Sequence, residues 1–206
     1  MTLVKICGLM RPEDVDAVNC FRPDYAGFVF TSSRRRVSSE KAREMISRLD
    51  PAVVPVGVFV GERAEVVAAI TGQCGLQAVQ LHGGEDNSYI TALRKLLPLG
   101  VAVIQAVRVR DAASLEIARQ SACDLLLLDA WVDGVPGGAG HTFDWRLLTR
   151  FPRPYLLAGG LHGGNVGEAI QMLQPLGVDV SSGVETDGNK NYDKIGRFIE
   201  LARGGN

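Results

Sequence analysis

The sequence predicts an α/β fold, a single (β/α)8 barrel of the TIM type, and three observations lead there. Short β-branched or leucine-rich runs alternate with helix-like segments along the whole chain, about eight times. The sixth run, Leu125 to Leu128, is four consecutive leucines, the pattern of a strand buried on both faces in a parallel sheet covered by helices. The residues with chemistry to offer follow the ends of these runs, where such a barrel carries its site.

Length and composition agree with one domain over residues 1–206, within the range a single closed barrel uses. Hydrophobic residues make up 46% of the chain, enough for a large core, and 22 basic against 23 acidic residues leave a net charge of −1, so no nucleic-acid partner is expected. No apolar run approaches the ~18 residues of a membrane span. The start, MTLVKICGLMRPED, lacks the order of charge, apolar stretch and cleavage site of a signal peptide, so a cytoplasmic protein without membrane contact is expected. Cys7, Cys20, Cys74 and Cys123 are scattered, without the close pairs of a structural zinc or redox site; free thiols and no metal follow.

Taken in order, Val4 to Cys7 reads as a strand, and Pro12-Glu13-Asp14 opens a helix with proline at its first position and acids in its first turn. Tyr25 to Phe30 is the second strand, and Ser38 or Ser39 caps a helix to about Leu49. The third strand is set at Val56 to Val60, after Pro55, because proline fits poorly inside a central strand. A helix from Glu62 to about Thr71 leads to a fourth strand, Ala78 to Leu81, and the next helix runs to about Leu97. Val101 to Val107 is the fifth strand, and Asp111 caps the helix before the leucine run. Gly134 to Gly140 reads as a mobile loop over a pocket, after which Asp144-Trp145 restarts regular structure. Pro154 to Ala158 and Val178 to Ser181 complete the strands; Asn165 with Glu168 forms a capping box between them, and a last helix spans Tyr192 to Ala202. An open doubly wound sheet is disfavoured because no GxGxxG follows the first strand.

On that barrel, Asp129 stands at the end of the sixth strand against apolar surroundings, which favour the neutral, proton-donating carboxyl. An aspartate there also serves simply to turn the chain. Cys7 ends the first strand directly before Gly8; alone it reads as an inert buried thiol, and its place at the mouth is what suggests a role. Gly159-Gly160 and Ser182-Gly183 follow the seventh and eighth strands, where a barrel binds phosphate through backbone N–H groups. The same glycines can serve only as turns. Arg34-Arg35-Arg36 is either solvated surface or the source of one arginine that grips a carboxylate or phosphate bidentately.

Together KICGL, SRRRV, VQLHGGE, LLLLDAWVDGVPGGAGHTFDW, LAGGL with NV, and DVSSGVE resemble the phosphoribosylanthranilate isomerase family of tryptophan biosynthesis, over nearly the whole chain. The resemblance implies a cofactor-free Amadori rearrangement of N-(5-phosphoribosyl)anthranilate to 1-(2-carboxyphenylamino)-1-deoxyribulose 5-phosphate. By similarity Asp129 is the general acid that opens the furanose ring to a Schiff base, and Cys7 is the general base that removes the C2 proton. That division needs a neutral carboxyl and a thiolate in one pocket, with helix N-termini or cations favouring the thiolate. Arg35, two residues after Ser33 as in the family's Ser-x-Arg pattern, holds the anthranilate carboxylate, with Arg34 and Arg36 as alternatives. Gly159, Gly160, Ser182 and Gly183 hold the phosphate; Gln80 and Asp179 contact the sugar. The family also implies a monomer or a simple homodimer. Met10, where threonine is common, and Leu161-His162-Gly163-Gly164, without the usual proline, depart from the pattern. Rival expectations are the histidine-pathway aminoaldose isomerase and a non-catalytic sugar-phosphate-binding barrel.

Overall fold

The computed structural model describes residues 1–130, 145–149 and 151–205. In chain order the elements are β1 (Leu3–Cys7), α1 (Pro12–Phe21), β2 (Tyr25–Val29), α2 (Ser39–Ser47), β3 (Val54–Phe59), α3 (Ala64–Cys74), β4 (Ala78–Leu81), α4 (Asn87–Arg94), β5 (Ala102–Arg108), α5 (Ala112–Gln120) and β6 (Leu125–Asp129). A 3-10 helix (Trp145–Leu148), β7 (Tyr155–Ala158), α6 (Val166–Leu173), β8 (Gly177–Val180) and a 3-10 turn (Ser182–Val184) follow. A small hairpin, β9 (Glu185–Thr186) and β10 (Asn189–Lys190), leads into α7 (Tyr192–Ala202). Strands β1 to β8 pair in sequence order, and β8 returns to β1 in parallel register to close the barrel.

Strand alternation explains how one sequence fills two cores. Leu126 and Leu128 point outward into the layer shared with the helices, while Leu127 joins Val56, Ala78, Ile104, Ala106, Leu156 and Ala158 inside the barrel. Leu126, Leu127 and Leu128 are all buried, as the unbroken leucine run implied. The same alternation puts Lys5 and Cys7 of β1 and Asp129 of β6 on the inner face, with Cys7 and Asp129 at the strands' C-terminal ends.

The structure departs from the expected elements at three instructive places. Pro55 lies inside β3, paired with Ala26 of β2. It is tolerated because the β3–β4 ladder starts one residue later, at Val56↔Ala78, so no rung there needs the missing N–H. Asn165 stands at the start of α6 but its side chain caps nothing and forms no capping box. Instead its Nδ2 donates to the Gly160 carbonyl at 3.1 Å and its Oδ1 accepts from the His162 N–H at 2.9 Å, bracing the loop after β7. Helix α3 starts at Ala64 and continues past Thr71 to Cys74, where Gly75 at φ 69° closes it. The glycine-rich run Gly134 to Gly140 and Asp144 lie outside the described residues.

Candidate active site

At the C-terminal mouth of the barrel a cleft is lined by Cys7, Arg35, Gln80, Asp129, Gly159, Gly160, Asp179 and Ser182 among others. Every expected site residue except Gly183 thus faces one space, although they come from four different strands and from the loops after β2, β7 and β8. Arg35 lines the cleft, whereas Arg34 and Arg36 do not.

Cys7 is a free thiol with 8% of its surface exposed. Gly27 of β2 makes room for it, since a Cβ there would approach the sulfur to 2.8 Å. Burial pushes the Cys7 thiol up from its ordinary pKa, with Asp179 adding to the rise, and the Lys5 and Lys190 ammoniums pull the other way without cancelling it. This corrects the expectation of a thiol lowered by its surroundings: the cations are present, but desolvation outweighs them, and α1 starts only at Pro12. Lys5 itself is fully buried and pairs with Asp179 Oδ1 at 2.7 Å. Burial drags Lys5 down, yet Asp179 and Cys7 more than compensate and its pKa is raised. The carboxylate assigned to the sugar is therefore also the partner of a buried lysine.

Asp129 does not stand in purely apolar surroundings. The imidazole Nε2 of His82 lies 3.4 Å from its Oδ2, and the Asp129 side chain keeps 14% of its surface exposed. Gly159, at φ 96°, follows β7 alongside it; a Cβ there would meet Asp129 Oδ1 and the Ala130 backbone at 2.8 Å. Gly160 continues the loop at φ 64°. Gly183 serves close approach: a Cβ at that position would run into the Leu161 carbonyl, so the loops after β7 and β8 touch through bare backbone.

Arg35 is held from behind. Its Nε and Nη2 donate to Glu185 Oε1 and Oε2 at 2.7 and 3.0 Å, Arg34 donates to Oε2 at 2.7 Å, and Lys190 Nζ donates to Oε1 at 2.8 Å. Burial alone would raise Glu185, but the bonds from Arg35 and Lys190 prevail and bring it to about 2. Lys190 also donates to the Ser181 carbonyl at 2.9 Å, and Ser181 Oγ donates to the Cys7 carbonyl at 2.9 Å. Among the described residues, Gln80 Oε1 is buried without a hydrogen-bond partner, although it faces the cleft. No group of three or more His, Cys, Asp or Glu among the described residues is placed to hold a metal ion.

The sequence reading missed Lys5, His82, Glu185 and Lys190. Lys5, His82 and Glu185 stood inside the quoted motifs without a role. Lys190 had a signal: Asp187-Gly188, both at positive φ, is the two-residue turn of a hairpin that delivers it.

A closed parallel barrel with thiol, carboxyl and two glycine loops converging at its C-terminal mouth defines the class of (β/α)8 barrels that present their chemistry on the loops after the strands. The chain belongs to the phosphoribosylanthranilate isomerase family: the family model described as "N-(5'phosphoribosyl)anthranilate (PRA) isomerase" matches residues 4–201. It is 48% identical to the N-(5'-phosphoribosyl)anthranilate isomerase of Acetivibrio thermocellus, covering 98% of this chain and 96% of that one. The Desulforudis audaxviator isomerase is 46% identical, with 98% of each covered. The Thermotoga maritima crystal structure superposes with a TM-score of 0.89 at 39% identity, over 99% of this chain and 100% of that chain. A solved structure of the isomerase in complex with reduced 1-(o-carboxyphenylamino)-1-deoxyribulose 5-phosphate matches at 37% identity and TM-score 0.84, over 99% and 100% of the two chains. Another, of monomers of the dimeric Thermotoga maritima enzyme, matches at 36% identity and TM-score 0.83, over 99% and 100%. No helix among the described residues is long and apolar enough to cross a membrane.

Proposed function

We propose that this chain is the isomerase that converts N-(5-phosphoribosyl)anthranilate into 1-(2-carboxyphenylamino)-1-deoxyribulose 5-phosphate in tryptophan biosynthesis, using one catalytic domain over residues 1–206. It works in the cytoplasm as a monomer or simple homodimer on this small phosphorylated substrate, without a cofactor. The observation that carries the reading is the convergence of Cys7 and Asp129 on the cleft that Gly159, Gly160 and Ser182 also line.

Asp129 gives its proton to the furanose ring oxygen; the C1–O bond breaks and the substrate's own nitrogen completes a Schiff base. The Cys7 thiolate takes the C2 proton, the C2–H pair becomes the C1=C2 bond, and the enolamine tautomerises to the ketone. Arg35, aimed by Glu185, holds the anthranilate carboxylate through the part of its fork that Glu185 does not use. Gly159, Gly160, Ser182 and Gly183 offer backbone N–H groups to the phosphate, in loops braced by Asn165 and by the contact of Gly183 with Leu161. Gln80 and Asp179 face the ribose portion.

The test follows the fluorescence decay of freshly generated substrate, with chelator in every sample and the product identified by mass and NMR. Rapid conversion by the wild type, with Cys7→Ser and Asp129→Asn each slower by about 10²-fold or more, is expected. Folded wild-type protein that converts nothing would overturn the reading and favour a sugar-phosphate-binding barrel. Preference for the histidine-pathway aminoaldose would reassign the substrate.

A further inference from the structure

The interior of a small (β/α)8 barrel is ordinarily filled by branched apolar side chains. Here the layer beneath the cleft carries instead a lysine, paired with an aspartate that lines the cleft above it. Lys5 is 0% exposed and does not reach the cleft, whose lining begins one inward position further along β1, at Cys7. Its Nζ lies 2.7 Å from Asp179 Oδ1, across the seam where β1 meets β8 in the register Lys5↔Asp179. Sequestering a lone ammonium so deeply is expensive, and an ion pair in the interior gains little over a well-packed apolar pair. A structural role alone therefore gives poor reason for Lys5.

We propose that Lys5 is a positioning residue for the isomerisation: its buried ammonium, held in place by Asp179, is the counter-ion that allows Cys7 to exist as a thiolate. This inference rests on Cys7 being the base of the proposed reaction. The charges that face Cys7 are Lys5 on its own strand, Asp179 on β8 and Lys190 on β10, with Glu185 behind Lys190 and paired to Arg35. Strand β2 contributes Gly27 and β3 contributes Val58, and Val29 lies beside them; none of these is charged. Around the thiol, Lys5 is paired with Asp179, and Lys190 shares the Glu185 carboxylate with Arg35 and Arg34, so that cations outnumber the carboxylates they pair with. A thiolate at Cys7 is a further anion among these cations. Burial opposes ionisation of the thiol, and Lys5 is the strongest of the groups that work against burial.

In the catalytic cycle the Cys7 proton first leaves to solvent, and Lys5 keeps its own. The thiolate then accepts the C2 proton: an S–H bond forms as the C2–H bond breaks, and the electron pair left behind enters the C1=C2 bond of the enolamine. Lys5 exchanges no proton in either step. It sets the fraction of enzyme that begins the cycle as thiolate.

The experiment measures the pH dependence of Cys7 alkylation by iodoacetamide in substrate-free protein, with the Cys7 peptide quantified by mass so that Cys20, Cys74 and Cys123 are read separately. The pH profile of kcat is recorded alongside. For Lys5→Met, the alkylation midpoint and the acidic limb of kcat are both expected to move upward by about one pH unit or more. An unmoved midpoint, with kcat reduced evenly at all pH values, would overturn the proposal and leave Lys5 a packing element. Should Lys5→Met fail to fold, ¹⁵N NMR of the Lys5 Nζ in the wild type decides. An ammonium that persists through the Cys7 titration and shifts with it supports the pairing, and a neutral amine at the Cys7 midpoint overturns it. Alkylation needs no substrate, so a shifted midpoint in protein that isomerises nothing would support the pairing while overturning the proposed function.

Discussion

At the scale of single residues, the site contains groups whose value to the folded protein and to the ligand differ in sign. Gln80 Oε1 is buried with no hydrogen-bond partner among the described residues, a situation that costs about 1–3 kcal/mol. Gln80→Leu is therefore expected to raise the urea midpoint of the ligand-free protein while lowering kcat/KM, by about tenfold if the amide meets one sugar hydroxyl. Equilibrium unfolding and steady-state kinetics on the same preparation check both halves. Glu185 is the converse case, because its buried carboxylate serves Arg35, Arg34 and Lys190 together. Its folded pKa of about 2 lies below the ordinary 4.5. Its stabilising contribution is thus complete above pH 4.5 and is lost as pH falls toward about 2. The stability gap between wild type and Glu185→Gln, read by urea unfolding, should be widest near neutrality and should narrow through that acidic window.

At the scale of elements, two asparagines in formally equivalent places have unlike tasks. Asn191 caps α7 by accepting the Lys194 N–H at 3.0 Å, whereas the Asn165 side chain at the head of α6 bonds, among the described residues, to the loop of Gly160 and His162 and not to its helix. Asn191→Ala should cost about 1 kcal/mol of stability with little change in KM. Asn165→Ala should raise KM and weaken inhibition by inorganic phosphate, with the unfolding midpoint near wild type. The pair also shows where reading a sequence stops. Asn165 followed by Glu168 satisfied the capping-box spacing, but spacing cannot tell whether the side chain turns forward to its helix or backward to the preceding loop. Strands such as Leu125–Asp129 were legible because their apolar runs report burial directly. The ion pairs Lys5–Asp179 and Arg35–Glu185 were not. Their members are 174 and 150 residues apart, and periodicity says which face a residue occupies, not which residue waits opposite.

For the whole molecule, the barrel's order is sequential except at one seam, where the first strand meets the last. Every other strand finds its first neighbour almost as soon as it exists, but β1 obtains its second only when residues 177–180 are available. Synthesis at ~5–20 residues per second puts roughly ten to thirty-five seconds between the emergence of Lys5 and that of Asp179. Until then the lysine has no carboxylate at the seam, and burying it would strand an unpaired charge. The growing chain thus has a reason to stay open until its last strand leaves the ribosome. The lysine that Asp179 steadies in the finished barrel is, before that partner arrives, a charge that resists premature closure.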